Sequence, residues 1–386
     1  MKFFGTSFSS ELNELKKFES LEQKERQIVF YSENKNSLFI FESLINELIN
    51  NHNCNICYVT SSKDEPILKN SNKKIKTFCI GEGVARTKFF LNLKADILIM
   101  TMPDLETFHI KRSKIYPVHY VYIFHSMIST HLAYRKEAFD HFDSIFCVGN
   151  YQINEIRSAE KIYGLKPKNL IPLGYNHLDN LIKKYSNIVK SNNKNQIQIL
   201  IAPSWGKDGL FERYGDKIIS LLLELGYKII FRPHPMTQKK SIKKIYQIEK
   251  KFASNHNFIL EKEITNFDSF LFSDLMISDW SGAALEYAFT LEKPILYVDV
   301  PKKNNNPNFL DIPHIPIEES IRDKIGEIIS VENIELIPIK IEELFKKSDF
   351  WKKQIKKVKN ETILNLNKSD KIGAKEIMKI LNQLND

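Results

Sequence analysis

The sequence predicts an α/β protein built from two Rossmann-like halves, each a doubly wound parallel sheet. Three observations predict it. Short apolar runs alternate with longer stretches of helical periodicity, which is the rhythm of strand–helix–strand units. The rhythm breaks at a polar, Asn-rich segment, KKYSNIVKSNNKNQ over 183–196, and then restarts. The chain has 386 residues, a length that suits two domains.

In the first half, 27–31 reads as a strand. The stretch 37–50 reads as a helix, with Leu38, Phe41, Leu44, Ile45 and Leu48 on one face. Further strands are expected at 56–60, 76–80, 97–101, 118–124 and 144–148, most of them separated by helical pattern. After the polar segment come strands at 197–202, 227–231, 258–260, 275–277 and 295–298. Helices are expected at 216–225, 239–252 and 283–290. The expected division is a Rossmann-like domain over 1–182, a linker over 183–196, a second Rossmann-like domain over 197–345 and basic C-terminal helices over 346–386. Two such halves facing each other make a GT-B architecture, with the last helices crossing back to the first half.

Composition narrows the function classes. Hydrophobic residues are 42% and charged residues 27%, enough for a packed core. No apolar run approaches the roughly 18 residues that a membrane-spanning helix needs. The first twenty residues turn polar at once and lack the apolar core of a secretory signal, so a cytoplasmic protein is expected. Four cysteines do not form a disulfide framework. Cys54 and Cys57 form a C-x-x-C without a second pair, which favours buried strand positions over the alternative of a metal or redox site, and Cys79 and Cys147 fall in strand-like runs as core fillers.

The formal net charge is +9, which favours acidic partners. Residues 346–386 hold 11 Lys against 5 acidic residues. Within them, 351–359 reads as a basic helix with an apolar side at Trp351, Ile355 and Val358. Two readings of this helix stand: a solvated helix packed by one stripe, or peripheral docking to anionic lipid through Lys352, Lys353, Lys356 and Lys357. Nucleic acid is not expected, because no zinc-finger, RNP-type or basic-zipper signature accompanies the lysines.

Ligands in open α/β sheets bind outside the carboxyl ends of the strands. Four strand ends carry chemistry. The first runs out into His125, followed by Ser126, Ser129 and Thr130. An imidazole there has a pKa suited to taking a proton from an alcohol, or it caps a loop. The second is Ala202-Pro203-Ser204-Trp205-Gly206, where the indole either stacks on a flat ligand or closes the core. The third is Arg232-Pro233-His234-Pro235. Its two prolines stiffen a corner that carries a forked phosphate donor and an imidazole, the alternative for Arg232 being an internal ion pair. The fourth is Ser278-Asp279-Trp280-Ser281-Gly282, opening a helix. The first-turn N–H groups of that helix suit a phosphate, with Ser281 as cap or donor and Glu286 one turn on as an acceptor for ribose hydroxyls. The other histidines, His109 and His131 among them, are expected to be structural or solvated.

No G-x-G-x-x-G, Walker-type loop, H-E-x-x-H or G-x-S-x-G occurs, Gly81-Glu82-Gly83 being only a fragment. NAD-type redox chemistry, P-loop hydrolysis, zinc proteolysis and lipase-type acyl transfer are disfavoured. No D-x-D pair sits at a strand end, so no metal and no cofactor are expected.

In this order the four strand ends resemble the motifs of the CDP-glycerol glycerophosphotransferase family, the teichoic-acid type primases and polymerases. The likeness is best over 118–300. It implies a GT-B fold and transfer of glycerol phosphate from CDP-glycerol, or a related CDP-linked alcohol, to a hydroxyl of a surface glycan or lipid-linked acceptor, with release of CMP. The general base of the family falls on His125, and Ser126, Ser129 and Thr130 fall on the acceptor side. Donor binding falls on Ser204, Trp205, Arg232, His234, Asp279, Ser281, Gly282 and Glu286, with His234 also catalytic. Three departures stand out. The first family motif usually reads His-Gly-Thr with a Lys soon after; here Ser126 replaces Gly and no Lys follows until Lys136. The family's Ala-Pro-Thr-Trp-Arg has Gly206 in place of its Arg. The family's Ser-Asp-x-Ser-Ser has Gly282 in place of its last Ser. The alternatives are a GT-B glycosyltransferase using a nucleotide sugar and a non-catalytic basic scaffold. The expected place of work is the cytoplasm, at the inner face of the membrane if the basic helix docks there.

Overall fold

The structure, a computed structural model, describes residues 4–35, 37–108, 110–188, 196–263 and 267–385. His109 and residues 189–195 of the expected linker lie outside them. The chain forms two compact units. One comprises Met1–His125, Tyr134–Asp179 and Ile363–Asp386; the other comprises Ser126–Ala133 and Asn180–Thr362.

The first unit holds a seven-stranded parallel sheet in the order β3-β2-β1-β4-β5-β6-β7. Its strands are β1 (Ile28–Ser32), β2 (Ile56–Thr60), β3 (Ile75–Cys79), β4 (Ile97–Met100), β5 (His119–Ile123), β6 (Ser144–Cys147) and β7 (Asn169–Pro172). The chain starts in the middle, winds one way to β3, then returns past β1 to β4. That reversal makes the doubly wound topology. β1, β2, β4 and β6 are buried at every position, as a sheet covered on both faces requires. β7 has no counterpart in the sequence reading. It is an edge strand in which only Ile171 is buried, so it lacks the apolar run that betrays a central strand.

The helix Leu38–His52 buries Ile40, Phe41, Leu44, Ile45, Leu48 and Ile49. It ends where Asn53 turns left-handed (φ 57°) and returns its N–H to Leu48 O. The last helix, Ser369–Asn385, packs on this same unit. Gly373 makes the approach possible, because a Cβ there would lie 3.0 Å from Leu44 Cδ1 and 2.9 Å from Leu173 Cδ1. The preceding helix, Ser348–Thr362, belongs to the second unit, so the basic C-terminal segment is divided between the two units.

The second unit holds a six-stranded parallel sheet in the order β10-β9-β8-β11-β12-β13. The strands are β8 (Gln198–Ile201), β9 (Lys228–Phe231), β10 (Phe258–Leu260), β11 (Leu275–Ser278), β12 (Ile295–Asp299) and β13 (Gly326–Ser330). The winding reverses between β8 and β11. β13, like β7, is a partly exposed edge strand that apolar patterning does not reveal. Three boundaries differ from expectation. The helix Asn176–Asn187 runs into the polar segment expected to be linker. The helix expected at 216–225 begins earlier, as Leu210–Glu224 behind Gly209. The helix expected at 239–252 is two, Pro235–Lys240 and Ile242–Phe252, because Pro235 starts a turn of its own and Ser241 leaves helical geometry.

Candidate functional site

In the second unit the β8 and β11 ends are sewn together at the point where the winding reverses. Ser278 Oγ donates to Ala202 O at 2.7 Å. Asp279 is buried, and its carboxylate accepts the N–H of Ser204 at 2.6 Å and the N–H of Leu210 at 3.1 Å. Burial pushes the Asp279 carboxyl up, and these backbone donors oppose the shift. Asp279 therefore fixes the loop after β8 and the start of the helix Leu210–Glu224. Ser204 is buried as well.

Ser281 caps the helix Gly282–Leu291, its Oγ accepting the N–H of Ala283 at 3.4 Å. Trp280, between cap and strand, donates from Nε1 to Val300 O at 2.9 Å and lies 4.0 Å below the Arg322 guanidinium. Glu286, one turn into the helix, is half-buried and acts electrostatically on Arg232.

At the β9 end the chain turns directly into a short helix. Pro235 starts the helix Pro235–Lys240, and His234 caps it, with Nδ1 accepting the N–H of Met236 at 3.0 Å. That bond leaves the proton of the neutral ring on Nε2. Arg232 is buried in an ion pair, Nε lying 2.9 Å from Glu261 Oε2, with the guanidinium over the Phe267 ring at 5.3 Å. Burial lowers the Arg232 pKa, and Glu261 and Glu286 oppose it.

Trp205 is half-buried, its ring 6.3 Å from that of His234. Two ammonium groups approach it: Lys303 Nζ at 3.5 Å and Lys240 Nζ at 4.4 Å from the ring centroid. The sequence reading missed both lysines. Lys240 is one of several lysines over 239–251 and Lys303 lies in an Asn-rich loop, so local sequence singles out neither.

In the first unit, His125 lies directly beyond β5 and Phe124. Its imidazole is exposed to solvent yet set among protein atoms, and desolvation lowers its pKa while a hydrogen bond to the Thr101 backbone opposes. Tyr175 Oη donates to His125 O at 2.8 Å. The Tyr134 ring meets the imidazole edge-on at 6.3 Å. Tyr134 is one of a cluster with Tyr122, Phe124 and Phe139 that floors this strand end.

The next eight residues, Ser126–Ala133, belong to the second unit. Ser129 N donates to Glu318 at 3.0 Å, His131 Nε2 meets His314 O at 3.0 Å, and Asn306 Nδ2 donates to His131 O at 2.9 Å. Ser126 is half-buried and stands against Gly282, whereas Ser129 and Thr130 are buried. His131 is likewise buried in this packing. Cys57 and Cys147 are buried and Cys54 and Cys79 half-buried, with no disulfide among them. Among the described residues no group of three or more His, Cys, Asp or Glu is gathered as for a metal ion. Nor is any helix long and apolar enough to cross a membrane.

The family model for CDP-glycerol:poly(glycerophosphate) glycerophosphotransferase matches residues 14–304. No curated protein matches. Among solved structures, the wall teichoic acid polymerase TagF, soaked with CDPG, is 14% identical over 100% of both chains, with a TM-score of 0.59. A glycosyltransferase from Rickettsia africae is 10% identical over 94% of this chain and 99% of its own, with a TM-score of 0.54. The UDP-GlcNAc 2-epimerase of Neisseria meningitidis is 16% identical over 91% of this chain and 99% of its own, with a TM-score of 0.56. At such identities these likenesses establish the fold, an α/β chain of GT-B type.

Proposed function

We propose that this chain, which belongs to the CDP-glycerol:poly(glycerophosphate) glycerophosphotransferase family, moves glycerol phosphate from CDP-glycerol to a hydroxyl of a glycan or lipid-linked acceptor in the synthesis of a teichoic-acid type polymer. Family membership makes it a transferase. The observation that carries the reading of the site is the bridging of two motifs by Asp279, which ties the Ala202-Pro203-Ser204-Trp205 loop to the start of the helix at Ser281.

In this mechanism the second unit binds the donor. The first-turn N–H groups behind Ser281 and the Nε2–H of His234 hold the diphosphate, and Glu286 accepts from the ribose. Arg232, engaged with Glu261, stiffens the corner that presents His234. His125 takes the proton of the acceptor hydroxyl. That oxygen forms a bond to the glycerol-bearing phosphorus as the bond from this phosphorus to the bridging oxygen breaks. CMP leaves with the electron pair, and the surrounding donors stabilise the charge it gains. A depressed imidazole pKa suits this task, since the ring is already neutral at neutral pH.

Purified chain incubated with CDP-glycerol and a polyglycerol phosphate or lipid-linked acceptor is expected to release CMP and extend the acceptor. UDP- and GDP-sugars are expected to give no nucleotide. Release from a nucleotide sugar, with none from CDP-glycerol, would overturn the assignment.

A further inference from the structure

The sequence places Gly206 where the family has an arginine, and the structure buries Arg232 against Glu261. Two cations expected near a diphosphate are thus absent or engaged elsewhere. A site for two adjoining phosphates needs positive charge from some other source.

Lys240 and Lys303 supply it. Lys240 ends the helix that His234 caps, and Lys303 lies in the loop after β12. The two converge on Trp205 from elements far apart in the chain, beside His234. Among the described residues neither ammonium has a carboxylate within ion-pair distance, whereas neighbouring Lys302 pairs with Glu319. Two like charges against one ring, with Asp279 and Glu212 acting on Lys303 only from beyond ion-pair distance, favour an anion that joins them. We propose that Lys240 and Lys303, steadied on the Trp205 ring, bind the diphosphate of the CDP-linked donor and replace the arginine missing at Gly206. This deepens the donor assignment above and rests on it.

The electrostatics fit. The Lys303 pKa is lowered to about 8, chiefly by burial; Asp279 and Glu212 oppose the shift and the charge of Lys240 adds to it. The groups facing Lys303 are therefore Lys240 at the end of its helix, Glu212 on Leu210–Glu224, Asp279 beyond β11, and Trp205 with His234 beside it. An ammonium held this close to neutrality loses its charge in mild alkali unless an anion restores it.

The test is calorimetric titration of the full chain with CDP-glycerol from pH 7 to 9.5, alongside CMP release. The donor diphosphate keeps its charge over this range, so any change in affinity reports the protein. Wild-type affinity is expected to fall as pH rises through about 8. Lys303→Ala and Lys240→Ala are each expected to bind roughly 10–100-fold more weakly at pH 7, with the alkaline fall absent in K303A. Lys303→Arg should restore binding and carry it flat past pH 9, which a merely structural role for Lys303 would not do. If the wild type releases CMP from CDP-glycerol but K303A and K240A bind it as tightly as wild type, this inference is wrong and the functional reading stands. If the wild type neither binds CDP-glycerol nor releases CMP, the functional reading fails first.

Discussion

The Ser126 side chain occupies the space that a Cβ on Gly282 would need. Ile128 Cγ2, which would lie 3.2 Å from that Cβ, closes the same space from another side. Both are positions where the chain departs from the family pattern: Ser stands where Gly is usual, and Gly where Ser is usual. The departures are therefore neighbours in space, and one accommodates the other.

The consequence is an exchange that works only in both directions at once. Gly282→Ser alone must push Ser126 aside at the first residue of the helix, an overpacking that costs roughly 1–3 kcal/mol. It should also lower CMP release by disturbing the helix start. Ser126→Gly alone leaves a small gap. The double variant S126G/G282S should recover most of the stability lost by G282S, read from urea denaturation midpoints. Simple addition of the two single effects would show that the residues do not interact.

A second prediction concerns His125. Because its imidazole pKa is depressed, the neutral base persists to lower pH than an ordinary histidine allows. The acid limb of kcat/KM should therefore fall below about pH 6.5. His125→Ala should reduce turnover by roughly 10²–10⁴-fold while calorimetric binding of CDP survives. An acid limb at or above the ordinary imidazole value, or wild-type turnover in H125A, would remove this residue from the proton transfer.

Much of this was legible in the chain. Central strands such as β1, β2 and β8 announce themselves because a sheet covered on both faces selects unbroken apolar runs. The edge strands β7 and β13 do not, since each interrupts its apolar residues with positions that are not buried. The same split divides the candidate residues. His125, His234 and Ser281 lie at strand ends beside rigid or small residues, so local sequence marks them. Asp279 reads from its motif as a donor contact; its hydrogen bonds to Ser204 and Leu210 span 75 and 69 residues, and only the fold reveals them. Lys240 and Lys303 gather on Trp205 through tertiary packing alone, which no spacing in the chain encodes.

The basic helix Ser348–Thr362 yields the last prediction, because its lysines fall into two kinds. Trp351, Ile355 and Val358 are buried, so the apolar stripe is spent on the protein itself. Lys359 is buried beside them, with Nζ donating to Phe289 O at 3.0 Å and to Glu292 at 2.9 Å. It thereby satisfies the end of the helix Gly282–Leu291. Lys352, Lys353, Lys356 and Lys357 are exposed. If the chain meets an anionic membrane here, the attraction must be electrostatic, without insertion of an apolar face. Changing these four lysines to Gln should abolish sedimentation with vesicles containing anionic lipid. It should shift stability by less than about 0.5 kcal/mol, and the wild-type binding itself should vanish at high salt. Lys359→Ala should do the opposite, costing about 3 kcal/mol through the carboxylate and carbonyl it strands and leaving vesicle binding intact. Vesicle binding by the four-Gln variant at the wild-type level would rule out this face as the membrane contact.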